Sequence, residues 1–206
     1  MTEPDDALKA DLVRYLQHGR DAVVWKLDGL SELDARRPLT PTGTSLLGLV
    51  KHLADVELGY FVECFGREAP DRTSWSHDDP LADMWATADE SREDVVGLYR
   101  RVWEHAAGTF AALPLDAVAS VPWWSPPGDR PTLHRLLVHV ATETHRHAGH
   151  ADVLRELVDG AAGMRPESTN LPDGTDWPTH VARVQAAAEQ ADRAARAAGG
   201  AGADGP

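Results

Sequence analysis

The chain is poor in cysteine, in positive charge and in long apolar runs, and each scarcity closes a class of protein. Cys64 is the only cysteine among 206 residues, so an intrachain disulfide and a cysteine-rich zinc site are both ruled out. "YFVECFG" gives that thiol no basic neighbour to favour a thiolate, which makes it a packing residue rather than a nucleophile. Twenty lysines and arginines stand against 33 acidic residues, a formal charge of −13. A surface this acidic has no general attraction for phosphate backbones or anionic membranes, so no nucleic-acid or membrane partner is expected. No segment reaches the apolar length of a membrane span. The start, "MTEPDDALKADLVRYL", lacks the basic residues and apolar run of a signal peptide, and the expectation is a cytoplasmic protein.

What is present is helical periodicity. Leu8, Leu12, Tyr15, Leu16, Val23 and Leu27 predict a first helix over residues 5–30. Capping residues before an apolar run predict a second over 44–67, a third runs over 89–113, and Pro131 opens a fourth that ends near Gly160. A last helix is expected over 178–198. No stretch alternates like a strand. The expected fold is an all-α four-helix bundle with long crossover links, plus a C-terminal helix. Residues 1–198 form its single domain and 199–206 a flexible tail. Four of the seven tryptophans (Trp75, Trp85, Trp123 and Trp124) sit in the proline-bearing links. They either wall a site or cap the ends of the core.

The fourth helix carries the informative stretch, "LLVHVATETHRHAGHADVLREL". At about 100° per residue from His139, Leu136 and Leu154 fall at about 60° and Val140 at about 100°. Glu143 at about 40° and His147 at about 80° lie inside that apolar stripe. His150 and His139 flank it, at about 20° and 0°, while His134 and His145 point to the opposite side at about 220–240°. An ionised carboxylate in an apolar stripe is costly unless paired or bound to a cation. Glu143 and His147 are neighbours on one face, so they either form a hydrogen-bonded pair or chelate a metal. On the second helix, His52 lies at the edge of the face formed by Leu49, Leu53, Val56 and Tyr60, with Lys51 turned away. Alone it reads as a hydrogen-bonded core residue. Together with Glu143 and His147 it makes two histidines and a carboxylate, a set that leaves open positions on a metal. His-Glu-x-x-His, the paired Glu-x-x-His of di-iron bundles, Gly-x-Ser-x-Gly and phosphate-binding glycine loops are all missing.

"TSLLGLVKHLADVELGYFVECFGR" and "TLHRLLVHVATETHRHAGHADVLRELVDGAAG", with Pro122-Trp123-Trp124 between them, resemble the DinB-like superfamily of metal-binding four-helix bundles. The likeness is to its actinobacterial branch, catalogued as a domain of unknown function, and it spans about residues 8–185. The resemblance implies one histidine ligand on the second helix and two ligands four apart on the fourth: His52, Glu143 and His147. Glutamate at 143, where many members have histidine, is similar to mycothiol-dependent maleylpyruvate isomerase and related mycothiol transferases. Where members often carry His-Arg-Gly-Gln, this chain has His147-Ala148-Gly149-His150, so His150 replaces a glutamine.

The chemistry so implied is thiol activation of the kind used in detoxification. A divalent metal, zinc or else nickel, binds mycothiol or a similar small thiol and lowers its pKa for attack on an electrophilic small molecule. His150 or His139 would then orient groups or carry a proton, and Arg146 would meet an anionic group of the cofactor. Relatives often pair as homodimers. Two other readings use the same residues: a hydrolase whose nucleophile is metal-bound water, and a non-catalytic metal-binding dimer.

Overall fold

The computed structural model describes residues 3–68 and 78–200. Trp75, His77 and the tail from Ala201 onward lie outside the described residues. Among those described, regular structure is all helical: α1 (Glu3–Trp25), α2 (Glu32–Arg36), α3 (Leu46–Phe61), α4 (Arg92–Ala112), α5 (Leu133–Asp159) and α6 (Trp177–Gly200). The chain parts between Asn170 and Leu171 into two compact units. The first holds α1 to α5 and is an all-α bundle. In the second, Asp176 precedes α6 and accepts hydrogen bonds from the Thr179 amide and hydroxyl, a side-chain N-cap. No described helix is long and apolar enough to cross a membrane.

Local chemistry sets the helix ends. Ser45, Ser91 and Thr132 each accept a backbone N–H at the start of α3, α4 and α5, and Ser91 with Asp94 forms a full capping box. Gly160, at φ 81°, closes α5. The second helix expected from sequence stops earlier than 67: α3 ends at Phe61, a 3-10 turn covers Glu63–Phe65, and Gly66 at φ 65° turns the chain. α1 likewise ends at Trp25 rather than near Leu30, and "SELDARRP", expected as a connector, contains the short α2 capped by Ser31. At the C-terminus, Gly199 and Gly200 continue α6 rather than opening the tail.

α1 packs on α5, and α3 packs on both α4 and α5. One apolar cluster gathers Val23, Leu47, Val50, Leu53, Val95 and Leu154; another gathers Leu16, Phe61, Phe110, Leu133, Leu137 and Val140. Along α1, α3 and α5, a polar layer separates the two. Glu57 is fully buried there and ion-paired to Arg20, whose Nε also donates to both carboxylate oxygens at 3.1 and 3.0 Å. The Tyr99 hydroxyl donates to the same carboxylate at 2.8 Å. The Trp103 ring lies 5.4 Å from the Arg20 guanidinium. Burial, and then the charge of Glu57, push the Tyr99 phenol far up.

The first long link is fastened to α3 rather than draped over it. Lys51, read from sequence as turned away, is buried and donates to the Trp85 carbonyl at 3.1 Å and to Glu90 at 2.9 Å. The helical projection went astray here because the link forms a wall on a side of α3 that a bare bundle would leave to solvent. One turn earlier, a Cβ on Gly48 would meet the Met84 carbonyl oxygen at 1.9 Å. Only glycine lets the link lie that close.

Substituting Glu57 by alanine leaves Arg20 buried without its carboxylate. The expected loss is about 3–5 kcal/mol, measured by urea unfolding. A loss below ~1 kcal/mol would mean that the ion pair contributes little.

Candidate metal centre

α3 and α5 face each other through the polar layer, and three side chains meet there. His52 comes from the middle of α3, and Glu143 and His147 come from successive turns of α5. One donor atom from each lies within 4.8 Å of the others. The His147 Nε2 stands 2.8 Å from Glu143 Oε1, and the His52 Nε2 approaches the same oxygen at 3.9 Å. The two imidazoles meet edge to face with centroids 4.9 Å apart. Burial, and next the charge of His52, lower the His147 pKa, against the pull of Glu143.

The helical projection had no access to the group that aims His52. Asp83, buried in the link fastened by Gly48 and Lys51, places Oδ2 2.6 Å from His52 Nδ1. A carboxylate can only accept, so Nδ1 donates to Asp83, and this bond turns Nε2 toward the cluster. A carboxylate behind a ligating histidine is the usual way to fix its tautomer and ring orientation. The signal for Asp83 in the sequence was indirect: a glycine in the first turn of an apolar helix, marking a close approach of other backbone.

A Glu143–His147 hydrogen bond by itself would satisfy the pair reading. It leaves unexplained why a third nitrogen, its tautomer set from behind, is directed at the same carboxylate oxygen. Two imidazole nitrogens and one carboxylate oxygen, with the histidine orientation imposed from outside, form a group that could hold a metal ion.

The other expected site residues fall around this cluster. His150 is exposed and sets Nδ1 3.3 Å from His147 Nδ1. His139 packs between Tyr60 and Trp124, at centroid distances of 5.1 and 5.0 Å. Desolvation lowers its pKa, Glu143 opposing. Arg146 is exposed on α5 and does not join the cluster. His134 is exposed, whereas His145, also read as facing water, is half-buried against α1, where a Cβ on Gly19 would crowd its ring at 3.0 Å. α5 is covered by α1 as well as α3, so its buried arc is wider than the one stripe the projection used. Cys64 is buried, and desolvation with the charge of Glu63 pushes its thiol up to about 12, which fits packing rather than nucleophilic chemistry.

Beside the cluster lies a cavity of about 620 Å³ lined by Asp55, Val56, Gly59, Tyr60, Glu63, Asp83 and Trp123. Trp123 and Trp124 both donate their indole N–H to the Tyr60 hydroxyl, at 3.0 and 3.1 Å. Of the link tryptophans, Trp123 lines this cavity. Trp124 packs against the core cluster below.

The fold and this cluster define a class: helical bundles with a histidine–carboxylate group between two facing helices. Within that class, the chain belongs to the mycothiol-S-transferase family, whose family model matches residues 11–160. The match takes in α3, α4 and α5 and with them all three donors and Asp83. No curated protein matches the chain.

If the cluster holds a metal, Asp83→Asn should weaken zinc and nickel binding about 10–100-fold, and His52→Ala and Glu143→Ala should weaken it further. Competition against a chromogenic chelator measures this. Equal affinity of wild type and Asp83→Asn would show that the carboxylate does not orient His52 for a metal.

Proposed function

We propose that the chain is a metal-dependent transferase that activates a small thiol, mycothiol, and transfers its sulfur to an electrophilic small molecule in detoxification. The observation that carries the reading is the convergence of His52, Glu143 and His147 beside a cavity of small-molecule size, in a chain of the mycothiol-S-transferase family. A divalent cation held by these three residues would lower the pKa of a coordinated thiol, so that thiolate is present at neutral pH.

The remaining steps belong to the chain itself. Asp83 holds the His52 ring so that Nε2 faces the cluster. His139, packed against Tyr60 and Trp124 one helical turn from Glu143, would take the proton that the thiol gives up. His150, with Nδ1 3.3 Å from the His147 Nδ1, would orient that ring. The buried layer behind the donors, with Glu57 neutralised by Arg20, supports α3 and α5 at fixed spacing, which a multidentate site requires.

Zinc-loaded protein is expected to conjugate monochlorobimane to mycothiol, followed by fluorescence. His52→Ala should fall to the uncatalysed rate, and Asp83→Asn should lose about 10–100-fold. Bacillithiol and glutathione serve as comparison thiols. No conjugation with any of them would sink the proposal, and activity unaffected by His52→Ala would sink the assignment of the site.

A further inference from the structure

The cavity bordered by Asp83 is lined by three carboxylates (Asp55, Glu63 and Asp83), two aromatic rings (Tyr60 and Trp123), Val56 and Gly59. Among the described residues, no lysine, arginine or histidine lines it. Its volume of about 620 Å³ falls within the roughly 300–1,000 Å³ typical of small-molecule sites. Asp83 touches His52 at Nδ1, not at the Nε2 that faces Glu143. The cavity therefore reaches the donor cluster from behind the His52 ring.

Three observations set the chemistry of an occupant. The first is charge. A space lined by carboxylates, with no cationic side chain, attracts positive charge and repels anions. The formal charge of −13 on the whole chain acts in the same direction. The second is how that charge is spread. Among the described residues only His52, Glu143 and His147 bring three donor atoms within 4.8 Å of one another, so Asp55, Glu63 and Asp83 do not converge on a point. Carboxylates set around a large space suit a bulky cation rather than one small metal ion. The third is an aromatic corner. Trp123 is 55% exposed, yet its indole N–H is tied to the Tyr60 hydroxyl at 3.0 Å. The two rings stand at 68°, with centroids 5.3 Å apart. Gly59 adds no side chain beneath them, where a Cβ would stand 3.5 Å from the tip of the Trp123 ring. Fixed aromatic faces carry negative potential and attract alkylammonium groups.

We propose that this cavity is a binding site for an organic cation: an alkylammonium head held on Trp123 and Tyr60, with Asp55 and Glu63 balancing its charge. The site is separate from thiol transfer and is coupled to the donor cluster through Asp83. A positive charge in the cavity competes with the His52 Nδ1–H for the Asp83 carboxylate. Occupancy therefore loosens the hold on His52 and weakens a metal bound by its Nε2. By linkage, a bound metal weakens the cation by the same factor. The coupling rests on the metal reading of His52, Glu143 and His147; the cation site does not.

Choline, titrated by calorimetry into metal-free protein at low ionic strength, is the probe, with 3,3-dimethylbutan-1-ol as its uncharged isostere. Saturable one-to-one binding of choline is expected, at least about tenfold tighter than that of the alcohol. Trp123→Ala should weaken choline at least about tenfold, and Trp123→Phe should weaken it less. Glu63→Gln should weaken choline and leave the alcohol unchanged. Trp123 and Glu63 are both exposed, and circular dichroism confirms that each variant is folded. No binding of choline, equal binding of the alcohol, or unchanged choline affinity in Trp123→Ala would each overturn the site. Saturating choline should also weaken zinc binding, measured against a chromogenic chelator, at least about fivefold in wild type and not in Trp123→Ala. Choline that binds without changing zinc affinity overturns the coupling alone. Loss of transfer with every thiol sinks the thiol-transfer reading, while choline binding to metal-free protein still stands for the cation site.

Discussion

A carboxylate inside a helical bundle has to be neutralised, because the desolvation of an isolated charge costs far more than a small domain can spare. This bundle places two glutamates in the layer between its apolar clusters, and it treats them differently. Glu57 is enclosed completely and answered by the Arg20 guanidinium and the Tyr99 hydroxyl, which together occupy both its oxygens. Glu143, partly accessible, faces two histidines, with His147 at 2.8 Å and His52 at 3.9 Å from one oxygen. The first arrangement is closed and structural. The second is partly accessible, and its partners are histidines rather than a permanent cation.

The placement of the second site depends on the first long link as much as on the helices. Gly48 admits the Met84 backbone against α3, and Lys51 bonds Trp85 and Glu90 further along. Between these fastenings Asp83 reaches the back of His52. The second link contributes from the other side, where Trp123 and Trp124 converge on one hydroxyl, that of Tyr60 on α3. Two irregular segments, each pinned to α3, thus supply the orienting carboxylate and the cavity wall. Long links in compact domains are commonly functional, and here the hydrogen bonds show how each is held.

Much of this was legible from periodicity. The positions of four bundle helices, the inward arc of Glu143 and His147, and the buried edge carrying His52 all follow from 3.6 residues per turn and the apolar pattern. The errors share one cause. Lys51 and His145 lie outside a single apolar stripe per helix, but α3 meets α4, α5 and the first link, and α5 meets α1 as well as α3. Each helix is buried over a wider arc than one stripe. Helix ends were also overrun where a glycine at positive φ, Gly29 or Gly66, turned the chain before the apolar pattern stopped.

The sequence by itself determined which residues share a face, because the geometry of a helix is local and repeats. It therefore settled the all-helical class and grouped His52 with one buried face and Glu143 with His147 on another. It could not say that these two faces meet at one oxygen, nor that Asp83 stands behind His52, nor that Trp123 and Glu63 border one cavity. Those are contacts between segments distant along the chain, in links with no period to project. Only the packing of α3 against α5, and the close approach that Gly48 permits, decided them.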